Sequence, residues 1–157
     1  MKKTNFLNKL IKEGKLELVE PSEEVKKAYI KKSESNMGSA KILLNSNKLE
    51  ESISLVYYSM YHLLTALLFK IGIKSENHLA SIVLLKRLFN QNNNEILTAK
   101  RERIDKQYYI NFSITKEEVK DAIKKADIFN SEISDFISKL TNERIQEYRK
   151  TFKEIIN

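Results

Sequence analysis

The sequence contains no cysteine and no tryptophan, and only two histidines, three glycines and one proline among 157 residues. The lack of thiols excludes a disulfide scaffold, a cysteine nucleophile and any zinc site built on sulfur. Two imidazoles are too few for a histidine-rich metal centre, so no metal and no cofactor are expected. The scarcity of glycine and proline excludes a chain of short hairpins, because tight turns draw heavily on those residues. What remains is 41% apolar and 31% charged, a mixture able to bury about two thirds of the unfolded surface at this length. The expected fold class is all-α, with residues 1–157 forming one domain.

Charge is unevenly distributed. The chain has 28 basic against 21 acidic residues, a formal net charge of +7. Residues 1–110 hold 19 bases and 12 acids, whereas residues 111–157 hold nine of each, so the basic surplus lies wholly in the first part and favours acidic partners. From Ser52 to Phe69 no formal charge occurs over 18 positions, the lower limit for a membrane span. Ser52, Ser54, Ser59, His62, Thr65 and three tyrosines interrupt it with groups that lipid would leave unsatisfied, which predicts a buried core helix and no membrane partner. The first 16 residues are broken by Asn8, Lys9, Lys12 and Glu13, unlike a secretory signal, so a cytoplasmic location is expected.

Periodicity and caps divide the chain. An amphipathic piece over residues 5–13 stops at Gly14. A second helix starts after Pro21 and Ser22, with Glu23 and Glu24 at the positive end of its dipole, and runs to about Ser46. Its small residues Ser33, Ser35, Gly38, Ser39 and Ala40 predict close approach of another helix, or alternatively the floor of a cleft. A third helix spans 49–71 and stops at Gly72; a fourth covers 77–89; a fifth covers 95–106 and is densely charged. Beyond it Tyr108, Ile110, Phe112 and Ile114 alternate with polar residues, a period of two that predicts an extended segment. Thr115 with Glu118 forms a capping box for the last long helix. Its apolar stripe slips after Leu140, which predicts a bend or a rotated stripe near Thr141 and a tail packed on itself or on a second copy.

Tyr57-Tyr58-Ser59-Met60-Tyr61-His62, followed by Leu63-Leu64, Gly72-Ile73-Lys74 and His78, resembles the HEPN domain family, particularly its short single-domain prokaryotic members. Arg103-Ile104-Asp105-Lys106-Gln107-Tyr108 is similar to that family's Arg-x-x-x-x-Tyr segment, and Phe112 to Glu118 to the extended stretch and capped acidic helix that follow it. The resemblance covers residues 23–140. It implies an antiparallel up-and-down bundle of four to five main helices, with short N-terminal and C-terminal helical extensions, and a homodimer. In many members it implies a metal-independent ribonuclease in which Arg is followed after four to six residues by His. Here Tyr108 takes that position, and a phenol of ordinary pKa near 10 is a poor acceptor for a ribose 2′-hydroxyl proton.

The resemblance thus makes Arg103 and Tyr108 the candidate catalytic or binding pair, with Arg103 a phosphate-binding fork and Tyr108 a hydrogen-bonding or base-stacking group. On a regular helix five residues separate them by about 140°, so the onset of alternation, or a two-fold axis, is needed to bring them together. Lys100, Arg101 and Lys106 add electrostatic attraction for a nucleic acid; Asp105, Tyr58 and His62 are supporting candidates. His62 also reads as a core imidazole and Asp105 as the i,i+4 partner of Arg101. By resemblance the chain is a toxin-like, RNA-directed subunit that pairs with a small nucleotidyltransferase. The alternatives are a non-catalytic adaptor for that enzyme, with Tyr108 as acceptor of a transferred nucleotide, and a ribonuclease in which Tyr108 stands in for the histidine.

Overall fold

The computed structural model of the protein describes the backbone of residues 2–108 and 113–157, and the side chains of residues 5–105 and 113–157. The elements run α1 (Lys2–Lys12), β1 (Leu16–Leu18), α2 (Glu23–Asn45), α3 (Leu49–Ile71), β2 (Ile73–Ser75), α4 (His78–Arg87), α5 (Asn94–Tyr108), α6 (Lys116–Ser138) and α7 (Asn142–Ile156). The fold is a helical bundle, as the sequence predicts.

Helix α3 lies at the centre because its apolar residues occupy nearly every face. Val56, Met60, Leu64, Leu67 and Ile71 are sealed from solvent, and α2, α4, α5, α6 and α7 all pack on the helix. By length and composition α3 could cross a membrane, yet 67% of its apolar window is buried among these neighbours. Its pairing with α2 is antiparallel. Ser33 Oγ donates to the Ser59 carbonyl at 2.6 Å and Ser52 Oγ to the Ala40 carbonyl at 2.7 Å, so partner numbers fall on one helix as they rise on the other. The small residues Ser33 and Ala40 make the expected close approach to α3. Ser33 and Ala40 face α3 and are buried. Gly38 is exposed, with nothing within 4 Å of where a Cβ would stand, and lines an open groove with Ser33, Met37, Lys41 and Asn130.

Local chemistry sets the helix ends. Ser22, Asn77, Thr115 and Thr141 each accept a hydrogen bond from the backbone N–H three residues on, at 2.9 to 3.2 Å, which satisfies donors that a helix start leaves orphaned. Gly72 ends α3 at φ +88°, a left-handed conformation that favours glycine. The chain then forms a two-stranded antiparallel ribbon, Leu16 opposite Ser75 and Leu18 opposite Ile73. The sequence reading did not anticipate this ribbon, because three residues per strand are too few for a period to register.

The bend near Thr141 is present as the capped start of α7. The tail packs on its own chain: Phe152 and Ile145 are buried, and α7 contacts α1 and α3. Arg149 fastens it by donating through one nitrogen to the carbonyls of Val19, Ile71 and Gly72 at 2.8, 3.0 and 3.1 Å.

Candidate functional site

Helix α3 carries rings at 57, 58, 61 and 62. Residues four apart on a helix share a face, so Tyr57 and Tyr61 form one column and Tyr58 and His62 the next. The first column is buried and the second half-buried. Asn77 caps α4 and places His78 at that helix's first position. The His78 ring stacks on Tyr61 with centroids 3.8 Å apart, and its Nδ1 lies 2.8 Å from the Tyr57 hydroxyl. Helix α5 supplies Arg103, half-buried, whose guanidinium donates to the Tyr58 hydroxyl at 3.1 Å. The guanidinium carbon sits 5.4 Å from the Tyr57 ring centre and 5.2 Å from that of Tyr58. Cation–π contacts of this kind are worth about 0.5–2 kcal/mol each, depending on desolvation. They hold the fork in a fixed place on the seam between α3 and α5.

The second column continues as a ladder. His62 stacks on Tyr58 at 5.7 Å and lies 5.8 Å from Tyr29 of α2, which stacks on Phe69 at 5.7 Å. Lys32 stands over the Tyr29 ring at 5.8 Å. His62 Nδ1 is 2.7 Å from Asn36 Oδ1. The face thus sets a run of rings between two cations, Arg103 and Lys32, a combination that attracts stacked bases and phosphates.

Burial dominates the proton affinities. It pushes the Tyr57 phenol well above its ordinary range, with the nearby Tyr61 and Tyr58 phenols adding to the rise and Arg103 opposing it; burial raises Tyr61 as well. His62 is pulled down to about 4, first by burial and then by Lys32 and His78. His78 is lowered by burial, then by Arg103 and Lys100. At neutral pH both imidazoles are uncharged, and they act as directional hydrogen-bonding groups rather than as cations.

Of the residues singled out in the sequence, Arg103, Tyr58 and His62 come together on this seam. Lys100 lies close enough to act on His78. Arg101 is exposed and Asp105 half-buried; the expected Arg101–Asp105 ion pair does not form among the described residues. Helix α5 continues through Tyr108, two residues past its expected end. The side chains of Lys106 and Tyr108, and the alternating stretch at 109–112, lie outside the described residues. No group of three or more His, Asp or Glu that could hold a metal occurs among the described residues. Sequence reasoning undervalued Tyr57, Tyr61 and His78. The i,i+4 tyrosines and the Asn77 cap beside His78 were the available signals.

The HEPN domain model matches residues 26–135, more than half of the chain. The chain belongs to the HEPN domain family. A UPF0332 protein from Pyrococcus horikoshii is 48% identical over 56 residues, 36% of this chain and 39% of that protein, so the match spans well under half of either. Membership in the HEPN family supports a nucleotide- or RNA-related function in general.

Proposed function

We propose that this HEPN protein binds RNA along the α3–α5 seam and serves as the toxin-like, RNA-directed subunit of a two-gene module with a small nucleotidyltransferase. The observation that carries the RNA reading is the placement of Arg103. Its guanidinium is held against two tyrosines, at the end of a ladder of half-buried rings, in the part of the chain that holds the basic surplus. A guanidinium so held sets a fixed positive charge on the seam, where a phosphate meets it at low entropic cost, and the rings offer stacking surfaces. The pairing with a nucleotidyltransferase, and a homodimer that completes the cleft with Tyr108, rest on the family resemblance.

The test is a fluorescence-anisotropy titration of a single-stranded RNA oligonucleotide over a series of salt concentrations. Log affinity should fall linearly with log salt, and Arg103→Ala should weaken binding about tenfold or more and flatten the slope by about one phosphate contact. Arg101→Ala, on the exposed face, should cost far less. Equal effects of the two substitutions would remove Arg103 from the site. Co-expression with a small nucleotidyltransferase, followed by co-purification, examines the module.

A further inference from the structure

The two histidines of the site are held by different partners, and the partners bias which ring nitrogen carries the proton. The Tyr57 phenol is buried and stays protonated, and His78 Nδ1 is its hydrogen-bond partner. A phenol oxygen can also accept, but among the described residues the buried Tyr57 hydroxyl has no other acceptor, so donation to Nδ1 is favoured, and the neutral ring then carries its hydrogen on Nε2. At His62 the polarity is reversed. Asn36 presents its carbonyl oxygen to Nδ1, which can only accept, so Nδ1 carries the hydrogen and Nε2 keeps its lone pair. Among the described residues neither Nε2 has a hydrogen-bond partner or stands as a buried unsatisfied atom. Both rings lie against Tyr61, at 6.2 and 3.8 Å, and so are no farther apart than the sum of those distances. Arg103 and Lys100 act on His78, and Lys32 acts on His62.

We propose that this pair of opposite tautomers reads a ribonucleotide: His78 Nε2–H joins Arg103 in donating to phosphate oxygens, and His62 Nε2 accepts from a ribose 2′-hydroxyl. The proposal rests on the RNA-binding reading and adds to it a reason to prefer RNA over DNA, since the 2′-hydroxyl is the donor that DNA lacks. Asn36 and Tyr57 are positioning residues that set the tautomers. No proton is transferred in this role, so it does not depend on a general base among the family's motif residues.

The experiment compares anisotropy titrations of three single-stranded oligonucleotides of one base sequence, RNA, 2′-O-methyl RNA and DNA, at one salt concentration. The wild type should bind RNA about fivefold more tightly than the other two, the yield of one hydrogen bond. His62→Phe, which keeps the stacking ring, should erase that preference, and His62→Gln, whose amide oxygen still accepts, should restore part of it. His78→Phe should weaken all three ligands alike. Nitrogen-15 NMR of the imidazoles should show an unprotonated Nδ1 at His78 and an unprotonated Nε2 at His62, with Asn36→Ala releasing only the latter. Equal affinity of the wild type for RNA and DNA, or one tautomer shared by both rings, overturns this inference and leaves the RNA-binding face standing. Failure of the wild type to bind any of the three overturns both.

Discussion

Three glycines in this chain occupy three different physical situations, and alanine at each should change stability by a different amount or sign. At Gly72 the backbone is left-handed, φ +88°, a conformation that costs an L-residue about 1–2 kcal/mol. A Cβ there would also collide with the Val19 carbonyl oxygen, stand 2.9 Å from the Pro21 nitrogen, and run into the Arg149 guanidinium. The first two are backbone atoms fixed by the ribbon and by the Val19 N–H bond to the Gly72 carbonyl at 2.8 Å. The third can move only by giving up three hydrogen bonds to carbonyls, each worth about 1–3 kcal/mol for a charged donor. Gly72→Ala should therefore destabilise by about 4 kcal/mol or more, a fall in Tm of roughly 8–16 °C at the least for a chain of this size. Gly38 sits in mid-helix with open space where its Cβ would be, so Gly38→Ala should stabilise by about 0.5–1 kcal/mol through helix propensity. Gly14 is left-handed at φ +70° with no neighbour to strike; alanine there should cost about 1 kcal/mol. Urea unfolding and thermal melts followed by circular dichroism measure all three. A Gly72→Ala protein that melts within 3 °C of wild type, or a destabilised Gly38→Ala, would refute the reasoning.

Acid should weaken the fold in a window set by His62. Its folded pKa of about 4 lies below the ordinary 6.5, so between those values the unfolded chain binds more protons, and stability rises with pH. The lowered His78 acts in the same direction, and Glu23, held near 2 by Lys26 and Lys70, removes further stability below its ordinary 4.5. His62→Gln should reduce the stability gained between pH 4 and 6.5 by about 1 kcal/mol after allowance for partial exposure; an unchanged gain in urea titrations contradicts this. Arg149→Ala should cost about 2–4 kcal/mol and Arg149→Lys recover only part, since a point charge cannot match the planar fork. Equal stability of both variants to wild type would mean that α7 is held by Phe152 and Ile145 alone.

Helix boundaries were legible where a local device sets them. Leu49 to Gly72 contains α3 because the apolar run and the glycine stop leave no other register, and Ser22 and Thr115 announce starts through their side-chain oxygens. The ribbon was not legible, since Leu16–Leu18 and Ile73–Ser75 acquire meaning only when the bundle brings them together. The site shows the same division. The sequence reading joined Arg103 to Tyr108, a neighbour along the chain, because motifs are read along the chain. Among the described residues the tyrosines that Arg103 meets are Tyr57 and Tyr58, on another helix, and the hydroxyl it donates to is that of Tyr58, 45 positions earlier. His78 looked incidental because its importance comes from Tyr57 and Tyr61, which reach it across the interface between α3 and α4.

The central claim is that the seam of Tyr58, His62, His78 and Arg103 is where RNA lies. Photochemical cross-linking of a 4-thiouridine-containing RNA to the 157-residue chain, with the attached peptides mapped by mass spectrometry, tests it most directly. Cross-links should concentrate on the peptides of α3 and α5 that carry Tyr58, His62 and Arg103, and diminish in Arg103→Ala. Cross-links confined to α6 and α7, or unaffected by that substitution, would contradict it.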